Sequence, residues 1–582
     1  MIKKVLIRNN IIKPNHRSFP KRLRLVVGDT ETVKGKPYTI QFYDGKSFEI
    51  FYVNEDNILD VFLKYLEKKA IKKCVNVMYF HNLEYDLSVI LYKFHKNFLN
   101  RKKIVINYKK WKIVFVYSNT VFAIFKKKDV KFLILDSFRF VQTSLQNFGK
   151  MIGSKIEKME KPVFLGKRKP KNLEERLLFE QYARQDVLLL WDIANWIIKK
   201  HKTYDVTLSF SNANFSERIF RHYFIDEYMN IRLPPKEWIE PCILSYHGGK
   251  NGYYLPKEEG VYLLKDGIEV DIVSAYPYAM VNLPSFSRGY YKEVDKIVEE
   301  YEGIYIVDGY CLNDKYPVLF THDFKVIPYK EKIENLCITS YELKEAIKSN
   351  EIEIKKVKGI VYIPKSDINP LKDFVLEFFE KKKTANNEDE KMLYKIILNS
   401  LYGKFIQSIE KESKKNYDYV QEGDKIKRVE KEYIAGSCFN PFIASLITGF
   451  VRAYLHQLEH RYNAYHSSTD SIIIKNQKVE NIGKNLGQLE IKVRDADCYL
   501  IRNKMYIWIR GDEIIKYATH GFLGTPEQLL EMIRLKKYEY EVEKMIKVRE
   551  AERIKKQKLI KLAMNKIKRN INDVNFEKII EI

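Results

Sequence analysis

Asp29 and Glu31 stand two residues apart at the end of an apolar run, Val26-Val27-Gly28-Asp29-Thr30-Glu31-Thr32. In a strand alternate side chains share a face, so both carboxylates point the same way and repel each other unless a cation lies between them. An oxygen-only ligand set suits Mg2+ or Mn2+; a solvated strand edge shows the same pattern. Asp86 follows a second apolar run within Tyr79-Phe80-His81-Asn82-Leu83-Glu84-Tyr85-Asp86. Tyr182 and Asp186, four apart in a helical stretch, share a helical face, where a phenol can orient a metal-activated water. Taken singly, each piece is also what an ordinary surface carboxylate looks like.

A second set lies further along. Asp271 ends the strand-like Glu269-Val270-Asp271-Ile272-Val273-Ser274, and Pro277 is expected to stop or turn the chain; a core strand with a capping Asp reads the same way. Lys395, Asn399 and Tyr402 are spaced three or four apart in Lys395-Ile396-Ile397-Leu398-Asn399-Ser400-Leu401-Tyr402-Gly403, so they share a helical face. Lys395 can neutralise phosphate there, and Lys391 and Lys383 add further cations. Phosphoryl transfer consists mostly of positioning and charge stabilisation, which such cations supply. Asp470 lies in the hairpin-like Tyr465-His466-Ser467-Ser468-Thr469-Asp470-Ser471. Strand alternation in YLIRNKMYIWI puts Lys504 and Tyr506 on one face, and Gly248 with Gly249 permits close backbone approach to a nucleic-acid strand.

The elements that must position these residues are legible as periodicities. The first 200 or so residues alternate strand-like runs (LRLVVGDTE, YTIQFYDG, CVNVMYF, WKIVFVYS, VKFLILDSF) with helical ones, chiefly LLFEQYARQDVLLLWDIANWIIKKH, which is an α/β pattern. A second α/β region starts near residue 210 and holds a helical stretch at 370–406. Residues 411–431 are polar and read as a protruding hairpin or loop, and the chain after about 524 reads as densely charged helix. The chain has 582 residues, enough for several domains. Its formal net charge of +26 points to a polyanionic partner, a Lys-rich genome being the competing explanation. Six irregularly placed cysteines offer neither a disulfide framework nor metal-ligand spacing. With no secretory leader and no apolar run of membrane-spanning length, the expectation is a cytoplasmic protein without membrane attachment.

In order along the chain, Asp29-x-Glu31, Asn82-x-x-x-Asp86 and Tyr182-x-x-x-Asp186 resemble the three motifs of DEDD 3′–5′ exonucleases. The later strings resemble the motifs of family B DNA polymerases, with Lys-x-x-x-Asn-Ser-x-Tyr-Gly the most specific. YFHNLEYD, LNSLYGKF and the compact length resemble the protein-primed branch of bacteriophages and linear plasmids.

The resemblance implies a multidomain α/β and α+β fold: an RNase H-like exonuclease domain (1–205), then a right-hand polymerase domain (206–582). The latter divides into palm 206–284 and 437–523, fingers 369–405, thumb 524–582 and insertions 285–368 and 406–436, the insertions serving the priming protein and strand displacement. Asp29, Glu31, Asp86 and Asp186 would hold two metal ions, with Tyr182 aligning water and Lys161 as the catalytic lysine. Tyr79, His81, Asn82, Tyr85, Ser144 and Leu145 would take a single-stranded primer end. In the polymerase site Asp271, the Ile272 carbonyl and Asp470 would bind two further Mg2+ (or Mn2+) ions, with the backbone to Ser274 beside the triphosphate. Tyr276 would lie under the incoming sugar and exclude a 2′-hydroxyl. Lys383, Lys391, Lys395, Asn399 and Tyr402 would contact the nucleotide, and Tyr246, Gly248, Gly249, Lys504 and Tyr506 the DNA. A basic thumb surface would carry Lys536, Lys537, Lys544, Lys547, Arg549, Arg553, Lys555, Lys556 and Lys558. Implied partners are primer-template DNA, dNTPs and a terminal protein, on a monomer. One departure stands out: Ser468 replaces an Asp usual in the third polymerase motif. A nucleic-acid-primed polymerase, or a DNA-binding protein with an impaired synthesis site, remain as alternatives.

Overall fold

The computed structural model describes residues 4–7, 10–97, 103–117, 121–312, 315–410, 419–422, 425–428, 432–545 and 564–582. Among them two eight-stranded sheets dominate. The first centres on Leu23–Val33, which runs parallel to Val75–Phe80, itself parallel to Val130–Asp136. Parallel neighbours need a crossover, and the helix Ile58–Lys69 lies on the connection between the first two. Strands covered on both faces must be apolar on both, and the consecutive pair Val26 and Val27 shows this. Val26 packs with Phe62 and Leu66 of that helix. Val27 faces the 31-residue helix Leu173–Thr203 through Val187, Leu190 and Ile193.

The second sheet is largely antiparallel. Its order is Asn251–Tyr253, His466–Ser468, Ser471–Lys475, Val261–Ile272, Leu489–Arg502, Met505–Arg510 and Glu513–Thr519. The apolar helix Pro441–Tyr462 packs against it. One apolar core runs without a break from Val27 and Val77 of the first sheet, through Phe215 and Phe220 of the helix Asn212–Tyr223, to Val270 and Ile272 of the second. A separate four-stranded sheet of Tyr290–Val294, Gly303–Cys311, Lys332–Thr339 and Ile352–Ile363 has its own core and falls within the first expected insertion.

The helical stretch at 370–406 is two helices, Pro370–Lys383 and Glu388–Ser400. Asn387 breaks it, its side chain accepting from the Glu390 amide and so capping the second helix. Pro277 does not stop the chain. It sits in the first turn of Ala275–Asn282, where a missing amide costs little. The charged stretch after 524 is helical only over Pro526–Arg534; Glu539–Met545 then pairs with Met564–Asn570 as a hairpin. The C-terminal Ile579–Glu581 leaves the expected thumb altogether and joins the second sheet beside Val261. At the other end Lys4–Leu6 pairs with Glu432–Ala435, inside the second expected insertion. Within 411–431, Tyr419–Glu422 and Lys425–Arg428 pair as a hairpin; the rest of that segment lies outside the described residues, as do Lys547, Arg549, Arg553, Lys555, Lys556 and Lys558.

Two candidate carboxylate centres and a cationic helix

In the first sheet one carboxylate oxygen each from Asp29, Glu31 and Asp186 lie within 4.8 Å of one another. Strand alternation aims the first two, and the helix Leu173–Thr203 lays Asp186 across them. Burial, then the neighbouring Asp186, pushes Asp29 up to about 7. Glu31 is held well above the usual range by burial and Asp29, and Asp186 is raised by burial. Asp186 Oδ1 is buried without a hydrogen-bond partner. Crowded, desolvated carboxylates with an orphaned oxygen fit a hard divalent cation, which would restore all three to the ionised state.

Asp86 does not join this trio. The Thr30 amide (3.0 Å) and hydroxyl (2.8 Å) both donate to its Oδ1, anchoring a carboxylate that is only 1% exposed. Tyr182 is buried beside Asp186, as its spacing of four requires. Lys158 Nζ lies 2.9 Å from Asp186 Oδ2 and 5.7 Å from the Tyr182 ring centroid. Lys161 is close enough to draw Glu31 and Asp186 downward, but it is Lys158 that makes the ion pair. Sequence reasoning missed Lys158, since several lysines crowd that stretch. It missed Gln41 too, which is fully buried and donates to Asp29 Oδ2 at 2.7 Å.

The expected primer-end residues divide. The Tyr79 and Leu145 side chains pack in the main apolar core, because each falls on the inward side of its element. Ser144 is the N-cap of Leu145–Met151, accepting from the Asn147 amide. His81 is bound at both ring nitrogens, to Ser137 Oγ and the Thr143 carbonyl. Asn82 takes a left-handed backbone (φ 66°), its amide donating to Asp136 Oδ1 at 2.9 Å. The Tyr85 hydroxyl lies 2.7 Å from Thr32 Oγ1, near Glu31.

In the second sheet Asp271 is in register with Ser471, and the Ile272 amide donates to the Asp470 carbonyl at 2.8 Å, so Asp271 and Asp470 are neighbours across two strands. Burial and Asp470 raise Asp271 to about 7, and burial raises Asp470. Lys492 Nζ stands 3.7 Å from Asp271 Oδ2. Two half-buried carboxylates that destabilise each other's charge again fit a divalent cation. Ser468 Oγ instead faces Asn251 Oδ1 at 3.4 Å. Ser274, in a left-handed conformation (φ 54°), opens the helix that carries Tyr276. The Tyr276 and Tyr402 rings stack at 4.1 Å and 3°.

Lys391, Lys395 and Asn399 line one exposed face of Glu388–Ser400. Lys383 is exposed at the end of the preceding helix. Its neighbour Lys382 is the one turned toward this face: burial, then Lys395, Lys492 and Lys391, hold its ammonium below the usual value. Gly249 presses on Thr469, in the turn carrying Asp470, where a Cβ would come within 2.6 Å; Gly248 has open space. Tyr246 is half-buried near Tyr402. Lys504 is corrected: it occupies a two-residue turn (φ 59°) between paired Arg502 and Met505, so it does not share a strand face with Tyr506. Tyr506 is buried against His466, its ring 5.3 Å away.

The fold is similar to that of a solved DNA polymerase. Phi29 DNA polymerase complexed with primer-template DNA and incoming nucleotide substrates has the same fold, at TM-score 0.67 over 94% of this chain and 100% of that one, with 16% identity. The binary complex with primer-template DNA matches at 0.64 over 90% and 96%. A sequence profile described as DNA polymerase type B, organellar and viral, matches residues 164–445. Among curated relatives, a "Probable DNA polymerase" of Agaricus bitorquis is 24% identical over 488 residues, covering 70% of this chain and 55% of that one. The "DNA-directed DNA polymerase" of Enterobacteria phage PRD1 is 25% identical over 354 residues, covering 56% and 61%. The chain thus spans a little over half the length of these relatives. Over residues 164–445 it is similar to the organellar and viral type B DNA polymerases.

Proposed function

We propose that the protein is a template-directed DNA polymerase that extends a primer with dNTPs at the Asp271–Asp470 centre and trims 3′ ends at the Asp29–Glu31–Asp186 centre. The observation that carries this reading is the presence of two separate carboxylate centres on two sheets, one beside a cationic helix and a stacked tyrosine pair. When bound, divalent ions at each would activate the nucleophile and stabilise the leaving oxygen. The chain's own groups do the rest. Lys395, Lys391 and Lys382 offset triphosphate charge, with Lys383 at the margin. The Tyr276 ring, fixed by stacking on Tyr402, fills the space a 2′-hydroxyl would need, and Asn399 borders the base pair. In the other centre Lys158 neutralises Asp186 and Tyr182 orients water.

The finer reading is replication from a protein primer with strand displacement. What supports it is the likeness to the Phi29 fold together with two inserted units, at 290–363 and around 406–436. Transfer of a labelled deoxynucleotide to a partner-protein hydroxyl tests it; extension of nucleic-acid primers alone would favour the rival.

Asp271→Ala should lower primer extension about a thousandfold or more and spare degradation of a single-stranded 3′ end, and Asp29→Ala should do the reverse. Equal loss of both activities in either variant would contradict separate centres.

A further inference from the structure

The turn that carries Asp470 is held from outside its own hairpin. Beyond His466–Ser468 the second sheet ends at Asn251–Tyr253, and the two strands pair only through Asn251, Gly252 and Tyr253. So short an edge strand, with a glycine at its centre, is weakly fixed by its own ladder. Yet the residue directly before it, Lys250, accepts through its carbonyl from the Thr469 amide at 2.7 Å. Thr469 is left-handed, and Asp470 follows it. Where Asp470 stands against Asp271 therefore depends on where the Lys250 backbone stands.

Buried charge fixes that backbone. The Lys250 ammonium pairs with Glu459 Oε2 of the helix Pro441–Tyr462, and the two side chains are 2% and 0% exposed. It also donates to the Tyr316 carbonyl at 3.2 Å. The other Glu459 oxygen accepts from the Tyr254 hydroxyl at 2.6 Å, and that hydroxyl lies 3.0 Å from Ser467 Oγ. Since the Tyr254 proton goes to the carboxylate, Ser467 donates to Tyr254. Ser467 Oγ in turn accepts from the Gly252 amide at 3.0 Å. The bonds thus run from the strand to the helix and back to the hairpin. A buried ion pair is a poor source of stability, because desolvation cancels most of its Coulomb gain and apolar side chains of similar volume often serve as well. What it adds is direction, since each hydrogen bond constrains both distance and angle.

We propose that Lys250 and Glu459 are positioning residues, which set Thr469 and Asp470 against Asp271 through the Lys250 carbonyl and Ser467. The proposal rests on the reading of Asp271 and Asp470 as the centre that extends a primer, and it adds two residues that act on that centre only through the hairpin.

The test is Lys250→Met/Glu459→Leu, which leaves neither buried charge alone. It is made in a full-length parent carrying Asp29→Ala and Glu31→Ala, so that Mn2+ binding at the other centre does not interfere. Electron paramagnetic resonance reads Mn2+ affinity, primer extension gives kcat and the KM for a dNTP, and thermal melting reports the fold. The double variant should melt as its parent does. Its Mn2+ affinity and its kcat should each fall about tenfold or more, as when a ligand loses an orienting partner, with KM unchanged. A purely structural pair predicts the opposite: affinity and kcat return with the melting temperature, and that result overturns the proposal. If the double variant does not fold, Tyr254→Phe decides, since it removes only the hydroxyl joining Glu459 to Ser467. It should lower affinity and kcat in the same direction, and unaltered values overturn the proposal. A parent that binds Mn2+ but extends no primer defeats the polymerase reading and leaves the affinity comparison to decide this one; a parent that does neither defeats both.

Discussion

At the scale of single residues, the carboxylates announce themselves by type and spacing, whereas the groups that orient them do not. Asp29, Glu31 and Asp186 were legible because strand alternation and helical spacing constrain where they point. Gln41 was not, since it meets Asp29 across a strand pair whose register the sequence does not state. Lys158 and Lys382 escaped for another reason: each sits among lysines of equal appearance, and only packing selects one. Gln41 holds Asp29 Oδ2 through its amide, while its own Oε1 accepts from Thr39 Oγ1 at 3.2 Å. Groups of this kind fix ligand orientation, and losing one typically costs 10–100-fold in metal affinity or activity. Gln41→Leu, which keeps the volume, should therefore lower 3′-end degradation about 10–100-fold and raise the Mn2+ concentration for half-maximal rate. Primer extension should stay as it was. A variant whose metal requirement is unmoved would reduce Gln41 to ordinary packing.

At the scale of elements, the strands and long helices followed from periodicity, but their breaks followed from local chemistry. Asn387 ends one helical run by capping the next, and Asn503-Lys504 turns what reads as one long strand into a hairpin. The approach of the 246–249 segment to the hairpin that carries Asp470 was legible only in part. Two adjacent glycines signalled close approach, yet the surface approached by Gly249 is the protein's own Thr469. Arg452 secures that segment. It is fully buried, bonded by two nitrogens to Glu342 (2.7 and 3.0 Å), and it donates to the His247 and Gly248 carbonyls. With the backbone pinned from behind, a methyl group at position 249 has to displace Thr469, already left-handed at φ 59°, and with it Asp470. Misplacing a reacting group by about 1 Å costs on the order of a hundredfold. Gly249→Ala should thus lower kcat for primer extension by about that factor while 3′-end degradation continues, and the two rates measured on one preparation decide it. Loss of both together would mean general unfolding instead.

At the scale of the whole molecule, two carboxylate centres sit on separate sheets but share one apolar core, and the joint between them holds a neutral imidazole. His201, at the end of the helix Leu173–Thr203, is fully buried between Phe140 and Phe215. Its Nδ1 donates to the Ile197 carbonyl at 2.8 Å, and its Nε2 accepts from Ser209. Burial depresses it from 6.5 to about 3. A depressed imidazole contributes stability that is complete above its unfolded value of 6.5 and is lost as pH falls below it, because only the unfolded chain can take the proton. At pH 5 the loss depends on the unfolded value alone and comes to about 2 kcal/mol at 1.36 kcal/mol per unit. The natural chain and His201→Leu, compared by urea unfolding at pH 7.5 and pH 5, should therefore converge by about 2 kcal/mol on acidification. Since the core is continuous across the joint, both activities of the natural chain should fall over the same urea range. Parallel stability curves for the two proteins would show that His201 is not the proton-sensitive element. Two separated activity losses would show that the shared core does not unfold as one.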